Sequence, residues 1–123
     1  MNELALIIED DEDLALIFAE ALRAVEYKVE TIADGLKAQQ RLDEVTPYLI
    51  LLDMHLPQIS GAALLEKIRT DQRLRAAMVI ITTADARMAE TYGDQADFVM
   101  IKPISFVQLR DLTARLKQKN HKN

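Results

Sequence analysis

The sequence predicts a doubly wound α/β domain, in which a five-stranded parallel sheet carries helices on both faces. Five short apolar runs recur along the chain, and the segments between them carry apolar residues at helical spacing. Strand and helix therefore alternate five times, which is the pattern of a parallel sheet with crossover helices. A chain of 123 residues is long enough for one such domain and too short for two.

The five apolar runs are the predicted strands. They are LALII (4–8), KVETI (28–32), YLILL (48–52), MVIIT (78–82) and DFVMI (97–101). Four of them are almost continuously apolar, which is typical of strands buried on both faces. KVETI instead mixes polar and apolar residues, so we expect it to be a half-exposed edge strand.

The segments between the strands are the predicted helices. Apolar residues recur at i, i+3, i+4 and i+7 after the first strand, weakly after the second, and clearly after the third and fifth. These stripes are Leu14, Ile17, Phe18, Ala21, Leu22 and Val25; Ala38, Leu42 and Val45; Leu64, Leu65 and Ile68; and Phe106, Leu109, Leu112 and Leu116. Residues 85–95 leave room for only a short and weakly apolar helix. We expect the domain to span residues 1–118 and residues 119–123 to form a short basic tail.

Composition argues against several classes of function. The formal net charge of −5 disfavours a nucleic-acid surface, and no apolar run approaches the ~20 residues of a membrane-spanning helix. Because the sequence has no Cys, it forms no disulfide or thiolate metal site, which mildly favours a reducing compartment. With three Gly residues and no G-x-x-x-x-G-K-[ST] motif, it is not a P-loop nucleotide enzyme.

Acidic residues mark the carboxyl ends of two predicted strands. Glu9 and Asp10 follow the first strand, and Asp53 follows the third. In open α/β sheets, ligands bind at the carboxyl ends of strands where the strand order reverses. If the order is 2-1-3-4-5, these carboxylates lie together, and two unit charges ~5 Å apart repel by roughly 3 kcal/mol at an effective dielectric of ~20. Such a cluster needs a cation or a proton, and an incomplete cage of oxygen ligands suits Mg²⁺.

Some of these polar residues also have simpler interpretations. Residues 11–13 are acidic and are well placed to cap the next helix. Without Asp53 beside them, Glu9 and Asp10 are explained equally well as a solvated acidic run. No other His, Cys or acidic residue lies at the spacing from His55 that a transition-metal site requires. We therefore expect His55 to be a solvated loop residue.

The remaining strand ends carry groups that complement an acidic site. A carboxylate such as Asp53 can act as a nucleophile and form an aspartyl-phosphate. Thr82 and Thr83 end the fourth strand, where one hydroxyl could hydrogen-bond a phosphate oxygen, and Ala84 leaves space for that oxygen. Lys102 ends an apolar strand, where an unpaired ammonium would be awkward, so we expect it to pair with the carboxylates.

Four segments together resemble the receiver domain of bacterial two-component response regulators. They are IIEDDEDL, LILLDMHLPQISG, IITTAD and MIKP, in that family's order and at roughly its spacing, over essentially the full chain. The resemblance implies a flavodoxin-like fold with strand order 2-1-3-4-5. It also implies Mg²⁺-dependent (or Mn²⁺-dependent) phosphoryl transfer from the phosphohistidine of a sensor histidine kinase or phosphotransfer protein. Such a domain is a cytoplasmic signalling module with a downstream target, without direct contact to nucleic acid or membrane, rather than a turnover enzyme.

The resemblance also implies roles for the residues around the metal. Asp53 would be the phosphoacceptor and a metal ligand. Asp10 would bind the metal directly and Glu9 through water, with the backbone carbonyl of His55 as a further ligand.

The resemblance implies further roles around the phosphate. Thr83 would supply the switch hydroxyl, with Ala84 beside it, and Lys102 would bind the phosphate. The peptide bond before Pro103 would be cis.

Two departures from the family affect how phosphorylation is expected to change the surface of the domain. Val99 stands where the family usually has an aromatic residue, and the adjacent Phe98 points to the opposite face of its strand. The segment from Thr83 to Lys102 is shorter than usual by roughly one helical turn (~4 residues). We therefore expect residues 85–95 to be the most mobile connection, and phosphorylation to change their order rather than rotate an aromatic ring.

Two alternatives stay open at the level of sequence. One is a receiver-like docking module that binds its partner regardless of phosphorylation. The other is a flavodoxin-type redox protein, which is disfavoured because acids after the first strand would repel the flavin phosphate.

Overall fold

Strand and helix alternate along the chain as predicted. The structure, a computed structural model, describes residues 3–121, with the backbone alone described for residues 118–121. Its elements are β1 (Leu4–Ile8), α1 (Glu12–Ala24), β2 (Lys28–Ile32), α2 (Gly35–Leu42), β3 (Leu49–Asp53), α3 (Gly61–Thr70), β4 (Met78–Thr83), α4 (Ala86–Tyr92), a 3₁₀ turn (Gly93–Gln95), β5 (Phe98–Ile101) and α5 (Phe106–His121).

The five strands form one parallel sheet in the order β2-β1-β3-β4-β5, which confirms the predicted topology. The chain leaves β1 toward β2 and then returns to β3 on the other side of β1, so the order reverses between β1 and β3. In the parallel register Ile8 lies opposite Leu52, and Asp53 lies opposite Thr82. The carboxyl ends of β1, β3 and β4 therefore meet at one edge of the sheet, at the switch point where ligands bind in this architecture.

Two hydrophobic cores lie on opposite faces of the sheet. On one face, α1 and α5 bury Phe18, Leu22 and Leu109 among others. On the other face, α2 and α3 bury Leu42 and Leu65, while α4 contributes only partly buried side chains. Alternate residues of the central strands point to the two cores, so these strands must be apolar throughout.

Local sequence signals start four of the helices. Asp11, Asp34, Ser60 and Asp85 are the N-cap residues of α1, α2, α3 and α4, and each side chain accepts a backbone N–H of the first turn. Such a cap typically contributes about 1 kcal/mol. The capping role predicted for the acidic run is thus carried by Asp11, which leaves Glu9 and Asp10 for another role.

Strand β5 forms the second edge of the sheet, and the predicted burial of its two faces is wrong. Phe98 and Ile101 are 37% and 45% exposed. Within residues 3–121, β5 pairs with β4 and has no strand on its other side. An apolar run of four or five residues does not distinguish a central strand from an apolar edge. The half-exposed edge predicted for β2 is confirmed.

Element ends differ from the prediction by a few residues. β3 and β4 each extend one residue further, so that Asp53 and Thr83 belong to strands. Ile17 is 42% exposed instead of buried, and Val45 lies beyond the end of α2. Helix α5 continues to His121, into the predicted tail, and residues 122–123 lie outside the described residues. None of the helices in residues 3–121 combines the length and apolar composition needed to cross a membrane.

The segment after β4 is short, as predicted. Helix α4 has seven residues, none of them buried, and a 3₁₀ turn follows it directly. Met88 and Tyr92 are its partly buried anchors against the core, and they pack in the cluster that includes Val99. The predicted mobility of residues 85–95 stays a prediction.

One side chain of α3 holds the far end of this segment. The guanidinium of Arg69 donates to Gln95 O at 2.7 Å, to Arg75 O and Ala77 O at 3.0 Å each, and to Asp97 Oδ2 at 3.0 Å. The same Asp97 oxygen accepts the N–H of Val79 at 2.7 Å. The planar donor fork of Arg suits such a set of acceptors, so the chain before β5 is tied to α3 and β4.

Candidate functional site

Three carboxylates meet at the carboxyl ends of β1 and β3. Glu9 and Asp10 follow β1 directly, and Asp53 is the last residue of β3. Each offers an oxygen atom, and these atoms lie within 4.8 Å of one another. Glu9 and Asp53 are buried, whereas Asp10 is exposed at the rim. The predicted cluster is therefore present, and its members differ in their access to water.

Backbone N–H groups orient the two buried carboxylates. Glu9 Oε2 accepts the N–H of Asp11 at 3.1 Å, and Asp53 Oδ1 accepts the N–H of His55 at 3.0 Å. The N–H of Met54 donates to the carbonyl of Thr82 at 3.1 Å, which extends the pairing of β3 and β4 past Asp53. The backbone next to Asp53 is thus held by Thr82, and the Asp53 carboxylate is held by the His55 N–H.

The Lys102 ammonium lies between the two buried carboxylates. Its Nζ is 2.9 Å from Glu9 Oε1 and 3.5 Å from Asp53 Oδ2. The backbone N–H of Lys102 donates to Thr83 O at 2.8 Å, which fixes this residue just past the end of β5. The predicted pairing of Lys102 with the carboxylates is confirmed by these contacts.

Burial dominates the electrostatics of the site. It raises the pKa of Glu9 to about 7, against the opposing effects of Lys102 and of the Asp11 N–H. Burial also raises the pKa of Asp53, although the His55 N–H and the Lys102 charge oppose it. For Lys102, burial acts to lower the pKa, but the carboxylates outweigh it and the net pKa is raised. Burial therefore disfavours the ionised forms of Glu9 and Asp53, and a second cation beside them would stabilise those forms.

The donor set fits a hard divalent cation. All of the side-chain ligands are oxygens, which Mg²⁺ and Mn²⁺ prefer. Glu9 Oε1 is buried in the ion pair with Lys102 at 2.9 Å, and it has no further hydrogen bond from the residues that the structure describes. Asp10 is exposed, so its oxygens are open to a metal or to water on a metal.

A threonine hydroxyl links the rim to the start of α4. Thr83 is fully buried at the end of β4, and its Oγ1 accepts the N–H of Asp85 at 3.0 Å. Asp85 in turn caps α4 by accepting the N–H of Arg87 at 2.9 Å. Ala84, between Thr83 and Asp85, is exposed and adds little bulk. The link from Thr83 through Asp85 to the helix was not predicted from the sequence.

The other predicted residues take the following places. The side chain of His55 is exposed, as expected of a solvated loop residue. The Lys102–Pro103 peptide bond is cis. Val99 faces the core shared with α4, while Phe98 lies on the other face of β5 and is partly exposed. The smaller residue therefore occupies the face next to Met88 and Tyr92.

Two glycines outside the predicted set pack against the connection between β3 and α3. A Cβ at Gly61 would lie 2.5 Å from both Asp53 O and Met54 Cα. A Cβ at Gly35 would lie 2.0 Å from Ile59 O. The available signal was a Gly at the first position of each helix, where a residue with a side chain is ordinarily accepted and a better helix former.

Comparison with known proteins agrees with the fold and the site. The family model of the response regulator receiver domain matches residues 5–114. Over 114 residues the chain is 32% identical to the phosphate regulon transcriptional regulatory protein PhoB of Rhizobium meliloti, and the match covers 90% of this chain and 49% of that regulator. The chain thus spans about half the length of this curated relative.

Solved receiver structures have the same fold. The signal receiver domain of a signal transduction histidine kinase from Syntrophus aciditrophicus matches with a TM-score of 0.86 and 27% identity, covering 98% of this chain and 94% of that chain. The receiver domain of the sensor histidine kinase PA1611 from Pseudomonas aeruginosa matches with a TM-score of 0.82 and 24% identity, covering 94% and 97%. That structure has a magnesium ion coordinated in its active site cleft.

The family match covers most of the chain, and the sheet order and the acid cluster at its switch point agree with it. The chain belongs to the family of response regulator receiver domains, the phosphorylation modules of two-component signalling.

Proposed function

We propose that this domain accepts a phosphoryl group on Asp53 from the phosphohistidine of a sensor histidine kinase or phosphotransfer protein, with Mg²⁺ or Mn²⁺ as cofactor. The observation that carries the proposal is the setting of the Asp53 carboxylate. It is buried at the switch point, oriented by the His55 N–H at 3.0 Å, and 3.5 Å from the Lys102 ammonium. A fixed carboxylate beside a cation is the arrangement that nucleophilic attack on a phosphoryl group requires.

The proposed transfer exchanges one bond to phosphorus for another. A carboxylate oxygen of Asp53 forms a bond to phosphorus while the P–N bond of the donor breaks, and the electron pair leaves with the donor imidazole. Lys102 would contact a phosphoryl oxygen as a point charge. Thr83 would donate its hydroxyl to another oxygen, for which Ala84 leaves space.

The acidic residues would hold the cation. Asp10 and Asp53 would bind it directly, Glu9 through water, and the carbonyl of His55 would be a further ligand. A bound divalent cation neutralises charge on the phosphoryl oxygens during transfer.

The location and the downstream target of the module are proposed from its phosphohistidine donor and from its family. We place the module in the cytoplasm with its phosphohistidine donor, as the resemblance implies, and propose that phosphorylation changes a surface that a downstream target recognises. The domain would promote its own phosphorylation and slow dephosphorylation without turning over a substrate. The net charge of −5 supports a protein target over direct contact with nucleic acid.

The proposal is tested by incubating the chain with Mg²⁺ and acetyl phosphate, a small phosphodonor, and measuring the intact mass. A gain of one phosphoryl group per chain is expected, and no gain is expected after a chelator removes the metal. A chain that remains unmodified by acetyl phosphate and by a phosphohistidine protein would contradict the proposal.

Substitutions in the acid cluster should separate direct from water-mediated metal ligands. Asp10→Asn is expected to weaken Mg²⁺ binding more than Glu9→Gln, and by more than the ~10-fold lower limit typical of outer-shell partners. Asp10 is exposed, whereas Glu9 already shares its charge with Lys102 at 2.9 Å. Calorimetric titration measures the affinity, with Asp11→Asn as control because Asn also caps a helix. The reverse order would overturn the assigned ligand roles.

Phosphorylation is expected to increase the order of residues 85–95. A hydroxyl has one donor and two acceptor sites, so Thr83 can donate to a phosphoryl oxygen while still accepting the Asp85 N–H, which it now does at 3.0 Å. The phosphate would thereby be connected to the cap of α4, a short helix that depends on its packing. The far end of the segment is already held by Arg69.

Amide hydrogen exchange with and without beryllofluoride, a mimic of the phosphoryl group, tests whether phosphorylation orders residues 85–95. We expect slower exchange mainly in residues 85–95 and the Thr83 turn, and no change in Asp53→Asn. Strong protection of this segment in both states would mean that α4 is fixed and that the signal leaves by another face.

A further inference from the structure

We propose that Gly35 is a positioning residue for the metal site at Asp53, a role that rests on the function proposed above. Gly35 is the buried first residue of α2, on an element that contributes none of the site residues. No glycine in residues 3–121 has a positive φ, so conformational freedom does not explain a glycine at this position. The space around its Cα does.

The backbone of the β3–α3 connection occupies the place where a side chain at position 35 would lie. A Cβ added to Gly35 would be 2.0 Å from Ile59 O, 2.7 Å from Ile59 C and 2.8 Å from Ile59 Cα. All three are backbone atoms, which cannot rotate away as the end of a side chain can. The N–H of Gly35 also donates to Pro57 O at 3.0 Å. The middle of the connection therefore rests directly on the first turn of α2.

The turn that makes this contact has an unusual conformation. The N–H of Ile59 also donates to Pro57 O at 3.0 Å, and Gln58 between them has a φ of 73°. This is a γ-turn with a positive central φ, which residues other than glycine seldom adopt. Such a conformation persists only where the surrounding structure enforces it. The contact with Gly35 is one such constraint.

The same connection carries the backbone next to Asp53. His55 lies two residues after Asp53 and two before Pro57, and its N–H donates to Asp53 Oδ1 at 3.0 Å. The connection is held at its start by the N–H of Met54 on Thr82 O. Its end is held by Ser60, which caps α3. Gly35 supplies the attachment in the middle, at Pro57, two residues after His55.

The clash that a Cβ at position 35 would cause is large compared with the precision that a metal site requires. An ordinary contact begins at 3.4 Å, so the 2.0 Å separation requires the two backbones to part by about 1.4 Å (3.4 − 2.0). A binding constellation holds its geometry to within about 0.5 Å. A side chain at position 35 is therefore expected to displace residues 57–59, and through them the His55 carbonyl, by more than the metal site tolerates.

The test compares Gly35→Ala with Gly93→Ala. Gly93 has ordinary αR backbone, and a Cβ there would lie 3.5 Å from Val99 Cγ2, a normal contact. We expect Gly35→Ala to weaken Mg²⁺ binding to the unphosphorylated chain by about 10–100-fold, the range for groups that orient metal ligands. Gly93→Ala should bind as the wild type does. Calorimetric titration gives the affinity, and hydrogen exchange of residues 54–60 reports the loop directly.

A second control separates positioning from loss of stability. Leu42 is fully buried at the other end of α2, so Leu42→Ala should lower the melting temperature while leaving the Mg²⁺ affinity unchanged. A folded Gly35→Ala variant with wild-type affinity and wild-type exchange in residues 54–60 would overturn the inference. So would a loss of affinity in Leu42→Ala that matches the loss in Gly35→Ala.

If Gly35→Ala does not fold, the double variant Gly35→Ala/Gln58→Gly is measured against Gln58→Gly. A glycine at position 58 allows the turn to change its backbone conformation and so to accommodate the added Cβ. The double variant should then fold and still bind Mg²⁺ more weakly than its reference, and equal affinities would overturn the inference. A wild-type chain that binds no Mg²⁺ would instead refute the proposed metal site, so the two failures are distinguishable.

Discussion

Replacing Asp53 with Asn is expected to abolish phosphorylation of the chain. The amide is a poor nucleophile and carries no negative charge, so no bond to phosphorus forms. Asn has nearly the shape of Asp and can still accept the His55 N–H on its oxygen, so the fold should persist. Intact-mass measurement after incubation with acetyl phosphate and Mg²⁺ gives the extent of modification.

Asp43→Asn is the matched control for this substitution. Asp43 lies on the surface, where it pairs with Lys67 at 2.7 Å, and its loss should leave phosphorylation unchanged. The melting temperature of metal-free Asp53→Asn should equal or exceed that of the wild type, because one of two neighbouring buried charges is removed. Stoichiometric phosphorylation of Asp53→Asn would show that another residue is the acceptor.

Replacing Lys102 with Met is expected to slow phosphorylation by about 10²–10³-fold, the loss typical when one group that stabilises transition-state charge is removed. Met keeps the unbranched apolar stem and deletes the ammonium. Binding of Mg²⁺ should be retained, because the carboxylates remain and no longer face an ammonium at 2.9 Å and 3.5 Å. The initial rate with acetyl phosphate and the calorimetric affinity for Mg²⁺ measure the two effects separately.

Lys67→Met is the control for the loss of one ammonium. Its pair with Asp43 is a surface ion pair, which contributes at most about 1 kcal/mol to stability, and the phosphorylation rate should not change. If Lys102→Met were phosphorylated at the wild-type rate, Lys102 would have no role in the transfer. If it lost Mg²⁺ binding together with the rate, Lys102 would hold the carboxylates in place instead of contacting the phosphate.

The sequence predicts the strands well because an apolar run is a short-range pattern, while the strand order that brings the acids together was implied by the resemblance to receiver domains. The apolar runs locate every strand within one residue of its observed ends, and the order of the sheet puts Asp53 beside Glu9 and Asp10. Carboxylates at neighbouring strand ends are brought together by parallel register alone. No precise side-chain geometry is needed to predict that such a group requires a cation.

Several other features that depend on contacts between distant segments were not predicted. The exposure of Phe98 follows from the position of β5 at an edge, which its apolar sequence does not show. The contact of Gly35 with Ile59 joins two connections that are separated in the chain. The four hydrogen bonds of Arg69 likewise join α3 to the segments before β4 and β5. A single sequence contains the residues of these contacts but not their pairing.

The unlike edges of the sheet have a consequence for self-association. The β2 edge carries Lys28 and Glu30, and Glu30 forms an ion pair with Arg41 at 2.7 Å, so a second strand would have to desolvate these charges to pair there. The β5 edge is apolar and only four residues long, and the chain continues into Asp97 before it and Lys102 after it. Within residues 3–121, strand pairing between molecules is therefore less costly at the β5 edge than at the β2 edge.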